Sequence, residues 1–177
     1  MRNKTGGYTL FELLLTALLI TVLLTLAMPS LSGTLARHRQ HAELNALFHA
    51  FHQARKESIM RRRVVSLCPS DDGLTCGDNA DWSDGWLMFE NKDRDSPPRK
   101  DPGEILLFSH HVDPTLRIVA NRRGFTLRAT FLRATNGTLI VCDRAGRVRP
   151  RALVVSYTGR PRVASEDRRG HAYNCAD

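Results

Sequence analysis

At 177 residues, with 42% hydrophobic content and no internal repeat, the chain leaves room beyond an N-terminal anchor for one core, and no second domain is needed. Its formal charge of +8 is unevenly placed: residues 29–63 carry seven Lys/Arg against two acids, residues 64–116 four against eleven, and residues 117–177 thirteen arginines against four acids. That asymmetry points to an anionic partner for the C-terminal half, with solubility and pairing to the chain's own acidic middle as competing uses of the charge.

Residues 1–7 form a short basic leader, with Arg2 and Lys4, ending in Gly6-Gly7. From Tyr8 to Met28 run 21 residues dominated by Leu, Ile, Val and Ala. At about 1.5 Å per residue they suffice to cross a roughly 30 Å hydrocarbon layer as a helix. Their one charge, Glu12, costs at least about 2.5 kcal/mol at bilayer depth and less toward the interface, so the carboxylate reads as awaiting a partner. A secretory signal has a shorter apolar stretch and a small-residue cleavage site, and a plain anchor gives no reason for Glu12.

The junction Gly7-Tyr8-Thr9-Leu10-Phe11-Glu12 resembles the class III signal of type IV pilins and pseudopilins. The resemblance implies cleavage by a prepilin peptidase after Gly7, N-methylation of Tyr8 (Phe in most pilins), and pairing of Glu12 with the N-terminal amine of a neighbouring subunit. It also implies a single pass through the inner membrane with a periplasmic domain, then assembly with major and minor pilins into a type IV pilus at the cell surface. Pro29 falls where many major pilins place a helix-breaking proline.

Residues 29–63 read as an amphipathic continuation of the helix to about Arg61, with Pro29 and Gly33 as points where it can bend. Leu44, Leu47, Phe48, Phe51 and Ile59 recur at helical spacing and suit packing on a sheet. Arg61-Arg62-Arg63 fits a helix C-terminus, where the dipole favours cations. Residues 64–177 then read as a globular β-rich domain. Strand-like runs are expected at 64–68, 85–90, 105–108, 116–120, 125–132, 138–142 and 153–157. Phe125, Leu127, Ala129 and Phe131 alternate with mostly polar neighbours, the pattern of one buried face. The fold class is α+β, a long N-terminal helix packed on antiparallel sheet. Trp82 and Trp86 suit core or loop anchors, and Asp81 and Asp84 suit turns.

Cys68, Cys76, Cys142 and Cys175 allow three disulfide connectivities. The favoured one joins Cys68 to Cys76 around a polar loop and Cys142 to Cys175, tying the C-terminal tail to a strand. Zinc is disfavoured by the lack of Cys-x-x-Cys spacing and of nearby histidines, so no metal or cofactor is expected. No nucleophile motif, phosphate loop or dinucleotide fingerprint is present, and catalysis is not expected.

The remaining chemistry is arginine. After the last strand, Thr158-Gly159-Arg160-Pro161-Arg162 combines a glycine suited to a tight turn with a proline that stiffens the chain and keeps Arg160 extended. Alternate residues then project together, and paired guanidiniums suit phosphate oxygens. The cysteine loop, the Gly85-Trp86 strand and this Gly-Arg-x-Arg resemble the FimT branch of the GspH/FimT family of minor pilins. That resemblance implies binding of DNA for uptake in natural transformation, through Gly159, Arg160 and Arg162, and because the basic tail offers only Tyr157 and Tyr173 for base stacking, double-stranded DNA is the expected partner. Arg147 and Arg149 are added from charge and sequence proximity. The alternatives are a structural minor pilin or type II secretion pseudopilin that primes filament assembly, and adhesion to anionic surface polymers.

Overall fold

A computed structural model describes residues 9–129 and 133–175, with residues 26–30 lacking side-chain description. Gly7 and Tyr8, the expected cleavage and methylation positions, lie outside the described residues. The chain forms two compact units, Met1–Leu35 and Ala36–Asp177. One helix, α1 (Leu10–Arg61), runs from the first unit into the second, and its helical assignment passes Pro29 and Gly33 without interruption.

In the first unit, Thr9 opens the helix. Its Oγ1 accepts the Glu12 N–H at 3.3 Å, and its carbonyl accepts the Leu13 N–H at 3.2 Å. Thr9 and Glu12 are therefore spaced as the first and last residues of a capping box, and the carboxylate sits where the helix dipole favours negative charge. Thr16, Thr21 and Thr25 each donate their hydroxyl to the carbonyl three residues back, at 2.8–2.9 Å. That internal bonding lets three polar side chains sit in an apolar helix. The leucines from Leu10 to Leu24 are exposed. Among the described residues no helix is long and apolar enough to cross a membrane.

In the second unit α1 buries Leu44, Leu47, Ala50, Phe51 and Ala54. Ser58 continues that stripe with no exposed surface, whereas Ile59 is 51% exposed and lies off it. The spacing of three and four residues from 44 to 58 takes in Ala50, Ala54 and Ser58, whose low hydrophobicity had hidden them from a pattern of large residues.

Among the described residues eight strands make two antiparallel sheets: β1 (Val64–Pro69), β2 (Gly85–Asn91), β3 (Leu106–His111), β4 (Leu116–Ala120), β5 (Phe125–Leu127), β6 (Gly137–Asp143), β7 (Arg151–Val155) and β8 (Pro161–Ala164). The first sheet has the order β3-β2-β1-β5 and the second β4-β6-β7-β8. One apolar cluster joins α1 to both: Phe51 meets Phe125 edge-on at 5.1 Å, and Phe125 meets Trp82 at 5.7 Å. Both tryptophans are buried as expected, and Asp81 forms a turn by accepting the Ser83 N–H at 3.0 Å.

Strands β1 and β2 are buried on both faces. The Cys68–Cys76 disulfide loop explains the second face, because Cys68, Leu87 and Phe89 cluster beneath Cys76. The expected strand over 125–132 stops at Leu127. Leu127 pairs with Val65, and two residues further on the partner would be Arg63, which lies in the turn between α1 and β1, so the ladder runs off the end of β1. Residues 130–132 lie outside the described set. Thr126 is not solvent-facing either: it is buried and its hydroxyl meets Ser66 Oγ at 3.1 Å. The last strand, β8, had no counterpart in the sequence pattern, because four residues containing proline and arginine carry no period.

Candidate nucleic-acid interface

Strands β7 and β8 form a hairpin in which Val155 pairs with Pro161 and Val154 with Arg162. Between them Gly159 adopts φ +71°, a conformation that favours glycine. A Cβ there would lie 3.2 Å from Leu127 Cδ2 and 3.3 Å from Ala134 Cβ. The turn is pinned from three sides. The Gly159 N–H donates to the Ser156 carbonyl at 2.9 Å, the Ala134 N–H donates to the Tyr157 carbonyl at 2.9 Å, and Arg55 of α1 donates its Nη1 to the Thr158 carbonyl. Arg55 is 103 residues away in sequence, and nothing local marked it as a support of this turn.

Arg160 and Arg162 are both exposed and flank buried Pro161, the alternation expected of an extended strand entry. Among the described residues neither guanidinium has a hydrogen-bond or ion-pair partner, so both charges are available to a ligand.

Arg162 opens onto a groove of about 450 Å³, which Arg168, Arg169, Tyr157 and Tyr173 also line. The tail reaches this groove because Cys175 is bonded to Cys142 of β6, as expected, and because Arg117 Nη1 donates to the Cys175 carbonyl at 3.2 Å. One acid, Asp167, shares the groove. It accepts the backbone N–H of His171 at 2.9 Å and of Arg169 at 2.7 Å, bonds that hold its carboxyl below the usual range. Three arginines against one internally bonded carboxylate leave the groove positive. Arg133 lies over the Tyr157 ring at 5.4 Å, adding a further cation beside the turn. Arg168, Arg169 and Arg133 were visible in the sequence only as part of the arginine total.

Arg147 and Arg149 belong elsewhere. They precede β7 whereas the Gly159 turn follows it, so the two groups sit at opposite ends of a five-residue strand, roughly 13 Å apart at about 3.3 Å per residue. Sequence proximity misled because a strand converts it into distance. Arg147 is also engaged: its Nη2 and Nε donate to Asp143 at 2.7 and 3.0 Å, and that side-chain pairing holds the buried carboxyl below its ordinary value. Arg149 keeps an exposed side chain, while its carbonyl accepts Gln40 Nε2 at 2.9 Å.

A helix packed on antiparallel sheets is the architecture of a type IV pilin-like fold. Residues 43–159 match the family described as type II transport protein GspH, and the chain belongs to that family. Two crystal structures of the type IV minor pilin FimU of Pseudomonas aeruginosa (strain PAO1) are similar, at 22% and 21% identity and TM-scores of 0.50 and 0.54. Both alignments cover 72% of this chain, and they cover 91% and 90% of FimU. The minor pseudopilin EpsH from the type 2 secretion system of Vibrio cholerae aligns over 71% of this chain and 96% of its own, at 8% identity and a TM-score of 0.50. These likenesses show the fold. No curated protein sequence matches the chain.

Proposed function

We propose that this chain is a minor pilin of the FimT type that binds double-stranded DNA without sequence preference, for uptake in natural transformation. The observation that carries the reading is the Gly159 turn, which holds Arg160 and Arg162 exposed and unpaired on either side of a buried proline. Phosphate gripping by such arginines gives affinity on the order of micromolar or weaker at physiological salt and a steep salt dependence. Arg168 and Arg169 extend the contact along the groove. Arg147 drops out of the contact set as a structural residue, and Arg149 contributes at most from the far end of β7.

In the same reading, residues 8–28 anchor the chain in the inner membrane after prepilin peptidase cuts at Gly7. Tyr8 is then methylated, and Glu12 meets the new amine of a neighbouring pilin during assembly. What supports that placement is the sequence, 21 residues from Tyr8 to Met28 dominated by Leu, Ile, Val and Ala.

The test is titration of the full chain, in neutral detergent, against a labelled duplex at several salt concentrations, beside Arg160→Gln/Arg162→Gln. Wild type binds, and the variant loses most of that binding together with about 0.9 of salt slope per phosphate contact removed. If wild type fails to bind at low salt, DNA binding by this subunit is refuted.

A second reading, supported by family membership alone, is a structural minor pilin or pseudopilin that primes filament assembly. Charge reversal at Arg160 and Arg162 then lowers filament number, whereas the DNA reading leaves filaments intact and abolishes uptake.

A further inference from the structure

A second basic site lies where α1 ends. A cleft of about 150 Å³ is lined by Arg62, Arg63, Lys92, Arg94 and Arg128, with Asn91 between them. Opposing these five cations are Glu90, whose Oε1 is 3.8 Å from Arg63 Nε, Asp95, which accepts Asn91 Nδ2 at 2.9 Å, Glu104, which accepts the Lys92 N–H at 2.6 Å, and the roughly half negative charge of a helix C-terminus. The cations that line the cleft still outnumber these three carboxylates. Lys92 Nζ donates to the Gly103 carbonyl at 2.7 Å, but among the described residues the guanidiniums of Arg62, Arg94 and Arg128 have no hydrogen-bond or ion-pair partner.

Two observations separate this cleft from an ordinary solvated basic face. Arg128 Nε is buried with no hydrogen-bond partner, and a buried donor on a cation is costly until an acceptor reaches it. Among the described residues, moreover, the two non-glycine residues with positive φ are Arg62 (54°) and Arg94 (65°), and both line the cleft. At Arg62 that φ closes α1 as a helix cap, with the Arg62 and Arg63 N–H groups donating to the Ile59 and Ser58 carbonyls at 3.4 and 3.3 Å, whereas Arg94 lies in the loop after β2, and backbone so held collects at ligand clamps. Arg94 is fixed there by its N–H, which donates to Asn91 Oδ1 at 2.6 Å, while Asn91 Nδ2 is held by Ser66 Oγ at 3.0 Å.

We propose that this cleft binds a phosphate group, with Arg128 Nε–H, Arg94 and Arg62 as its donors. A compact oxyanion suits the volume, and its several acceptor oxygens match guanidiniums approaching from different elements. The site is distinct from the Gly159 turn yet near it in the fold, since Leu127, which the turn packs on, immediately precedes Arg128.

The full chain in neutral detergent, with arginine Nε labelled for NMR, is titrated with inorganic phosphate. Wild type, Arg128→Gln, Arg94→Gln and Arg160→Gln/Arg162→Gln are compared. Wild type shows a saturable shift of the Arg128 Nε–H signal, Arg94→Gln weakens that binding about tenfold or more, and the Arg160/Arg162 double variant retains it. Arg94 is exposed, so its variant tests the site without depending on the fold of Arg128→Gln.

A labelled duplex then separates the sources of phosphate. Duplex affinity that falls severalfold in Arg94→Gln and Arg128→Gln assigns the cleft to a nucleic-acid backbone. Unchanged duplex affinity beside saturable phosphate binding assigns it to a small phosphate anion. No saturable phosphate binding by wild type, or equal affinity in Arg94→Gln, overturns the proposal. Either failure leaves the Arg160/Arg162 comparison intact as the separate test of duplex binding at the turn.

Discussion

Gly159 and Arg147 show how differently two residues beside the same strand are used. Gly159 is required by conformation and by space: Gly159→Ala puts a Cβ at positive φ against Leu127 and Ala134, and is expected to cost about 1–2 kcal/mol. Chemical denaturation of the full chain measures it, and DNA binding should weaken in the same variant because the turn carries both arginines. Arg147 instead serves a buried acid. Because its guanidinium keeps the Asp143 carboxyl depressed, the pair contributes stability above the unfolded carboxyl pKa of about 4, and that stability is lost as pH falls toward the lower folded value. Arg147→Gln is therefore expected to lower the thermal midpoint at neutral pH and to flatten its decline below about pH 4, leaving duplex affinity nearly unchanged. Equal loss of duplex binding in Arg147→Gln and Arg160→Gln would show that Arg147 touches the ligand after all.

Among elements, the tail strap and the helix stripe are the most exposed to test. The Cys142–Cys175 bridge spans 33 residues, and loop-closure entropy puts its contribution at about 3–4 kcal/mol. The Cys142→Ser/Cys175→Ser variant is expected to lose that much in denaturant, and also to lose the share of duplex affinity supplied by Arg168 and Arg169. Phe51→Ala, at the contact of α1 with Phe125, is expected to cost about 3–5 kcal/mol. Much of this was legible beforehand. The two disulfides, the buried tryptophans, the helix end at Arg61 and the strand at Leu116–Ala120 all follow from local patterns. What escaped depends on partners distant in sequence: β5 ends where its neighbour β1 begins, Arg55 reaches the turn from 103 residues away, and the groove exists because a disulfide folds the tail back. The arginine motif itself was readable, whereas its true companions were set by topology.

At the scale of the whole molecule, one substitution separates the helix-start position of Glu12 from the assembly role proposed for it. Glutamine satisfies the third position of a capping box as glutamate does, but it carries no charge to meet an amine. Glu12→Gln is therefore expected to keep the helix start and to reduce the share of protein recovered in sheared filaments; full recovery would reduce Glu12 to a cap. The terminal hairpin bears on solubility as well as on recognition. β8 is the outer strand of its sheet, and an outer strand offers unpaired backbone groups to any similar strand that drifts past. Pro161 opens that strand with no N–H to offer, and Arg162 sets like charge against like when two copies approach edge to edge. Pro161 and Arg162 thus also disfavour the joining of two copies sheet to sheet. Neutralising Arg162 removes that guard, so the glutamine variants should self-associate more readily than the native chain.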